Sequence, residues 1–184
     1  TISSNKKTEE NLLAAQLQTK NSVGGNVNGT RDQDVLTETE KLVKSGFADL
    51  TLLGLCAIAN TDQEFNTIKT LIKAGANHDA RNQSGQTVLM VAASQNKNPK
   101  IIKELVKAGA NVNDTITDDF VFNGNVNGIS INYSLKGFTA LMLAASNNQN
   151  PDVIMALVEA GADVNIRTPE GVTALIAAAD NKNS

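Results

Sequence analysis

A seven-residue phrase returns along this chain, and its recurrence limits the possible folds more than any other feature. Thr87-Val88-Leu89-Met90-Val91-Ala92-Ala93 is echoed by Thr139-Ala140-Leu141-Met142-Leu143-Ala144-Ala145 and by Thr173-Ala174-Leu175-Ile176-Ala177-Ala178-Ala179. A glycine precedes each copy: Gly85, Gly137 and Gly171. A second phrase closes the units, Ala108-Gly109-Ala110-Asn111-Val112-Asn113 and Ala160-Gly161-Ala162-Asp163-Val164-Asn165. Repetition on this scale calls for stacked units, each touching only its neighbours, that bury a continuous core together and not alone.

Spacing turns the phrase into a ruler. Thr139 to Thr173 is 34 positions, Thr51 to Thr87 is 36 and Thr87 to Thr139 is 52. The two extra residues of the 36-residue step are expected near Asn60–Phe65, between the helices of that unit. Gly75 to Gly85 and Gly161 to Gly171 each take 10 steps, but Gly109 to Gly137 takes 28. The 18 extra residues of the longest step therefore fall between Asn113 and Gly137.

Each unit reads as two short helices. In the first, Leu89, Ala92 and Ala93 share one face, and the small alanines allow close helix approach. The leading threonine suits the N-cap, where its hydroxyl accepts an otherwise unpaired N–H. Asn98-Pro99 and Asn150-Pro151 open the second helices, asparagine as cap and proline where no N–H bond is needed. Ile101, Ile102, Leu105 and Val106 then form an apolar stripe, as do Val153, Ile154, Leu157 and Val158. Gly75, Gly109 and Gly161 stand where these helices end in a left-handed turn.

Together the phrases resemble the ankyrin repeat, whose usual core is G-x-T-P-L-H-x-A-A followed by V-x-x-L-L-x-x-G-A-D-V-N. The resemblance covers residues 36–184, strong in three copies and weaker at Thr51-Leu52-Leu53-Gly54. It departs in two places. No copy has proline after the threonine, and methionine, isoleucine or glycine replaces the usual histidine, so the Thr–His bonding of the finger is absent and softer fingers are expected. The asparagine-rich style resembles that of bacterial members. The implied fold is an all-α ankyrin solenoid of about four repeats with one β-hairpin insertion. Residues 1–50 form a degenerate N-terminal capping repeat with a loop insertion, and residues 51–184 the repeats, with the insertion at about 114–136 and the last repeat incomplete.

The implied function is a non-catalytic protein–protein interaction scaffold that binds along the concave surface of fingers and first helices. Carried over position by position, the finger sites are Ser84, Gln86, Phe138, Glu170 and Val172, and the exposed first-helix sites are Ser94, Gln95, Ser146 and Asn147. This surface is mostly neutral and polar, with Phe138 its one aromatic. Two other readings stand beside it: a structural or targeting segment of a longer repeat protein, and an accessory domain to an enzyme elsewhere in the native chain.

The insertion is the sharpest departure from the repeat. Phe120-Val121-Phe122 and Ile129-Ser130-Ile131-Asn132-Tyr133 alternate at period two around Asn123–Gly128, which predicts a β-hairpin with an Asn/Gly turn. Three of the chain's six aromatics lie here: Phe120, Phe122 and Tyr133. An ordered insertion on a rigid scaffold is a common seat of function, and aromatics anchor interfaces. Phe120, Phe122, Ile129, Ile131 and Tyr133 are therefore candidate partner-binding residues. The competing expectation is a flap that folds onto its own solenoid and shields apolar surface.

At the N-terminus, Leu12-Leu13-Ala14-Ala15 resembles the repeat phrase, Thr8 suits its cap, and a second helix is expected from Asp34 to Ser45. Gly46 to Thr51 is too short for a finger, which is expected to be missing or collapsed. At the C-terminus, Asn181-Lys182-Asn183-Ser184 matches the linker before a second helix. Leu175 and Ile176 should then lack cover, and either the native chain continues or another molecule, a second copy among them, covers this end.

No catalytic constellation appears. The chain has 184 residues, 41% hydrophobic, with a net charge of -3 and no basic run, which argues against a nucleic-acid partner. No apolar stretch approaches the length of a membrane span. The one cysteine, Cys56, rules out an intrachain disulfide framework and reads as a buried hydrophobe. His78 stands where other repeats have Val112 and Val164, and a catalytic or metal role would need partners the repeat does not supply. Asn26–Asp34 is faintly like a calcium loop but lacks the first carboxylate and the closing glutamate. Asn-x-Ser/Thr triplets at Asn28, Asn82, Asn113 and Asn132 are ordinary in so asparagine-rich a chain. No cofactor, metal or compartment follows from these residues.

Overall fold

A computed structural model describes residues 48–59, 61–117, 121–126, 129–179 and 181; for 48–51, 121–126 and 129–133 it describes the backbone alone. The expected capping repeat, the missing finger after Gly46, the calcium-like loop, Phe120 and the tail from Lys182 lie outside these residues. Seven helices and two strands follow in order: α1 Ala48–Ile58, α2 Asp62–Lys73, α3 Val88–Gln95, α4 Pro99–Lys107, β1 Val121–Val126, β2 Ile129–Ser134, α5 Ala140–Asn147, α6 Pro151–Glu159 and α7 Ala174–Ala179.

Helices α1, α3, α5 and α7 stack side by side in one row, and α4 packs on α6 in a second row behind them. The inner row is the tighter because its facing positions are alanines: Ala92, Ala93 and Ala144 are fully buried. The outer helices are amphipathic, burying Ile101, Ile102 and Leu105 from α4 and Val153, Ala156 and Leu157 from α6. One core runs without a break from Leu52 to Ala162.

The caps follow the local chemistry. Thr87, Thr139 and Thr173 hydroxyls accept the backbone N–H of Met90, Met142 and Ile176 at 3.2–3.3 Å. Asn98 and Asn150 cap α4 and α6, each with proline at the first turn. In place of the absent histidine, Met90 Sδ accepts the Thr87 N–H at 3.4 Å, a weak bond but a buried one.

An asparagine ladder joins the repeats. Asn96 Nδ2 donates to Cys56 O and Ala59 O at 3.0 and 2.9 Å. Asn148 Nδ2 donates to Ala93 O and Asn96 O, both at 2.7 Å, and Asn181 Nδ2 to Ala145 O and Asn148 O at 2.9 and 3.3 Å. Each amide thus satisfies two carbonyls at the end of the preceding repeat's first helix, buried groups that would otherwise lack partners.

The ladder also corrects the register of the first repeat. It aligns Cys56 with Ala93 and Ala145, so residue 50, not Thr51, stands where Thr87 and Thr139 stand. Thr51 lies inside α1, which starts at Ala48. The extra residues of this repeat are not in a longer connection either. They lengthen the second helix: α2 has 12 residues against 9 in α4 and α6, started by a Thr61–Glu64 capping box.

Fingers connect successive repeats. Asn82 N–H donates to Gln86 O, Ile116 N–H to Phe138 O and Thr168 N–H to Val172 O at 2.9–3.0 Å, closing three equivalent turns. Three residues separate the ends of the first and third turns, whereas 21 separate Ile116 from Phe138. The 18-residue excess is thus an extension of the second fingertip. Gly137, at the foot of that tip, has φ 81°, and a Cβ there would lie 2.8 Å from Pro169 Cδ and 3.1 Å from Thr168 Cα of the next finger. Glycine is required there by conformation and by space together.

Candidate functional site

The three fingers and the inner helices frame a groove of about 530 Å³. Gln86, Phe138 and Val172, one from each finger, contribute at the same turn position. Ser94 and Gln95 end α3, and Ser146 and Asn147 end α5, 52 positions further on, as Thr139 is from Thr87. Seven residues singled out from the repeat pattern therefore meet on one surface. Ser84 and Glu170 belong to the fingers without lining the groove.

Ser94 needs a correction. It was expected to be exposed, but only 9% of its surface is accessible, and its hydroxyl donates back to Val91 O at 3.3 Å. Leu135, Leu143, Ile176 and Ala177 complete the lining and were not anticipated. Leu143 is 98% covered, and nothing in the repeat phrase distinguished it from its neighbours. Leu135 directly follows β2 within the extended fingertip and has no counterpart in the other fingers.

Gln86 and Asn147 on the groove are held by their neighbours. Asn82 Oδ1 accepts the N–H groups of Ser84 and Gln86, so its Nδ2 must be the donor to Gln86 Oε1 at 2.9 Å. Gln86 Nε2 is left to donate elsewhere. Asn147 Nδ2 donates to Leu143 O at 3.2 Å and to Ser146 Oγ at 2.9 Å, leaving Oδ1 to accept. Among the described lining residues none is charged.

Within the insertion, β1 pairs antiparallel with β2, Val121 opposite Ser134 and Val126 opposite Ile129. The expected turn, Asn123–Gly128, begins too early: Asn123, Gly124 and Asn125 belong to β1. Ladder bonding overrides the local turn preference of Asn and Gly. The register sets Phe122 opposite Tyr133 and Gly124 opposite Ile131, and alternation assigns them with Val126 and Ile129 to one face of the ladder. Asn123, Asn125, Ser130 and Asn132 occupy the other.

Fingers are braced to one another. Arg81 Nη2 meets Asp114 Oδ2 at 2.5 Å, while Nη1 donates to Gly85 O and Thr115 O at 2.7 and 3.1 Å. Asn113 Nδ2 donates to Gly161 O at 3.1 Å, and its Oδ1 accepts Asp163 N–H at 2.8 Å. Among the triplets whose asparagine side chain is described, those of Asn82 and Asn113 are thus held in structural bonds.

Neither Cys56 nor His78 lines the groove. Burial pushes the Cys56 thiol above its ordinary range. His78 Nδ1 lies 3.0 Å from Asp79 Oδ1, near enough for an ion pair but not aligned as a hydrogen bond. Its other edge lies beside Gly109, where a Cβ would stand 3.4 Å from Nε2. Among the described residues no three His, Cys, Asp or Glu side chains cluster as a metal site, and no helix is long and apolar enough to cross a membrane.

A second groove, of about 550 Å³, lies between α6 and α7 at the last repeat. Leu141, Ile154, Val158, Val164 and Leu175 make its lining predominantly apolar. Leu175 is 82% exposed and Ile176 51%.

A family model described as ankyrin repeats (3 copies) matches residues 33–116, 53–165 and 116–184.

Proposed function

Because the chain belongs to the ankyrin-repeat family, we propose that it is a non-catalytic scaffold that holds a protein partner in the groove between fingers and inner helices. Ankyrin repeats are generally protein–protein interaction modules, and the family is typically non-catalytic. The observation that carries the choice of surface is the convergence of Gln86, Gln95, Phe138, Ser146, Asn147 and Val172 on one groove. The inserted hairpin, with Phe120, Phe122, Ile129, Ile131 and Tyr133, extends the second finger and adds a second contact surface beside Leu135. Bracing between fingers keeps the surface preformed, so little ordering entropy opposes binding.

The test is affinity capture from the organism that makes the chain. The intact chain is compared with a Gln95→Glu/Asn147→Asp variant and with a variant lacking residues 118–135. A partner recovered by the intact chain and lost from the variants supports the groove and hairpin. Equal recovery by all three refutes both.

A second reading is supported by the apolar face at α7. With Leu175 82% exposed beside a groove lined by Ile154, Val158 and Val164, this end suits further stacking, by a second copy or by more repeats. Sedimentation of the chain over a concentration series tests the second copy: association should appear and weaken in Leu175→Ser. A monomer at all concentrations would remove self-association.

A further inference from the structure

We propose that the concave groove takes an extended, uncharged peptide segment of its partner, with one large apolar side chain seated between Phe138 and Val172. This rests on reading the groove as the partner surface. Charged residues make up 19% of the chain, yet none lines the groove among the described residues. A charged side chain brought here would lose water and meet no opposite charge among the described lining residues, which selects against acidic, basic and phosphorylated segments. Nucleic acid is disfavoured on the same ground, since none of the described lining residues is a cation to meet its phosphates.

The polar rim narrows the occupant further. Gln86 offers an N–H donor, Asn147 a carbonyl acceptor, and Gln95 a whole carboxamide that makes no hydrogen bond among the described residues. A peptide backbone presents the matching set, one acceptor and one donor per residue. An amphipathic helix keeps its backbone groups to itself and would leave these amides desolvated and unpaired. The apolar groove between α6 and α7 is the surface suited to a helix; this one is suited to exposed backbone.

The floor supplies the anchor. Leu135, Phe138 and Val172 are half-buried and line the groove, so a leucine- or phenylalanine-sized side chain has an apolar seat within its 530 Å³. The rim amides then fix the direction of the strand and the floor fixes its position, the usual division between a few placed polar groups and an apolar lining.

A cellulose-bound array of random decapeptides, probed with the full chain, tests this. Retained sequences are remeasured in solution by fluorescence anisotropy. The expected binders have one large apolar residue within an uncharged core. Their affinity should change less than about twofold between about 0.05 and 0.5 M NaCl. It should fall about tenfold in Gln95→Glu and stay unchanged in Lys103→Ala on the outer row. Binders with charged cores that respond to Gln95→Glu and weaken steeply with salt would overturn the uncharged-peptide inference but keep the groove as the partner surface. Binding indifferent to Gln95→Glu, or no retained peptide at all, would overturn both.

Discussion

The amide of Asn148 donates to Ala93 O and Asn96 O while its Oδ1 accepts the Asn150 N–H at 2.9 Å, so truncation strands three backbone groups. Asn148 is 94% buried, and water cannot easily replace it. Asn148→Ala should therefore lower stability by about 2–3 kcal/mol in urea unfolding, and a loss below about 0.5 kcal/mol would contradict the ladder. Cys56 gives a pH signature. Its unfolded thiol ionises near the ordinary 9.0, while in the fold it stays protonated to higher pH. The unfolded state then holds fewer protons above pH 9, so stability is full below that pH and declines as pH rises through it, by up to about 1.4 kcal/mol per unit. Cys56→Ala, which installs the residue found at Ala93 and Ala145, should flatten that part of the decline in urea midpoints taken from pH 8 to about 10.5. At this scale the threonine and asparagine caps were legible because a cap acts on its own helix. The ladder was not, although Asn96 and Asn148 each stand nine residues after their threonine, because its acceptors lie in the preceding repeat.

Among the elements, the inserted hairpin is the one whose removal restores the length of the other fingers. Deleting residues 118–135 leaves Thr117-Lys136-Gly137 between Ile116 and Phe138, a three-residue tip like Gln83-Ser84-Gly85 and Pro169-Glu170-Gly171. The shortened chain should keep its helical circular dichroism and a single unfolding transition. Loss of cooperative folding would show instead that the hairpin is a structural flap. Helix pairs, their order and the 18-residue excess were readable from spacing alone. The beginning of α1 and the length of α2 were not: Thr51 looks like a cap in sequence, but the helix starts at Ala48 and inter-repeat bonding sets the register. Turn propensity likewise misjudged Asn123–Asn125, which pairing draws into β1.

Across the whole molecule, the repeat brings chemically ordinary residues to one place. Gln86, Gln95, Asn147 and Val172 are unremarkable in isolation, and only the equal spacing of equivalent positions gathers them on the groove. That gathering was legible once the period was known. The neutral character of the groove was partly so, whereas Leu135 and Leu143 needed the packed fold to show that a finger foot and a core leucine also form its floor. The central claim is that partners dock on this surface and not on the outer helices. Site-specific photo-crosslinking tests it most directly, with a benzophenone amino acid placed singly at positions 95, 103 and 175 of the full chain. Irradiation in lysate of the source organism should trap a partner from position 95, on the groove, and none from position 103, on the outer row. Adducts formed from position 103 or 175 and absent from position 95 would contradict the account.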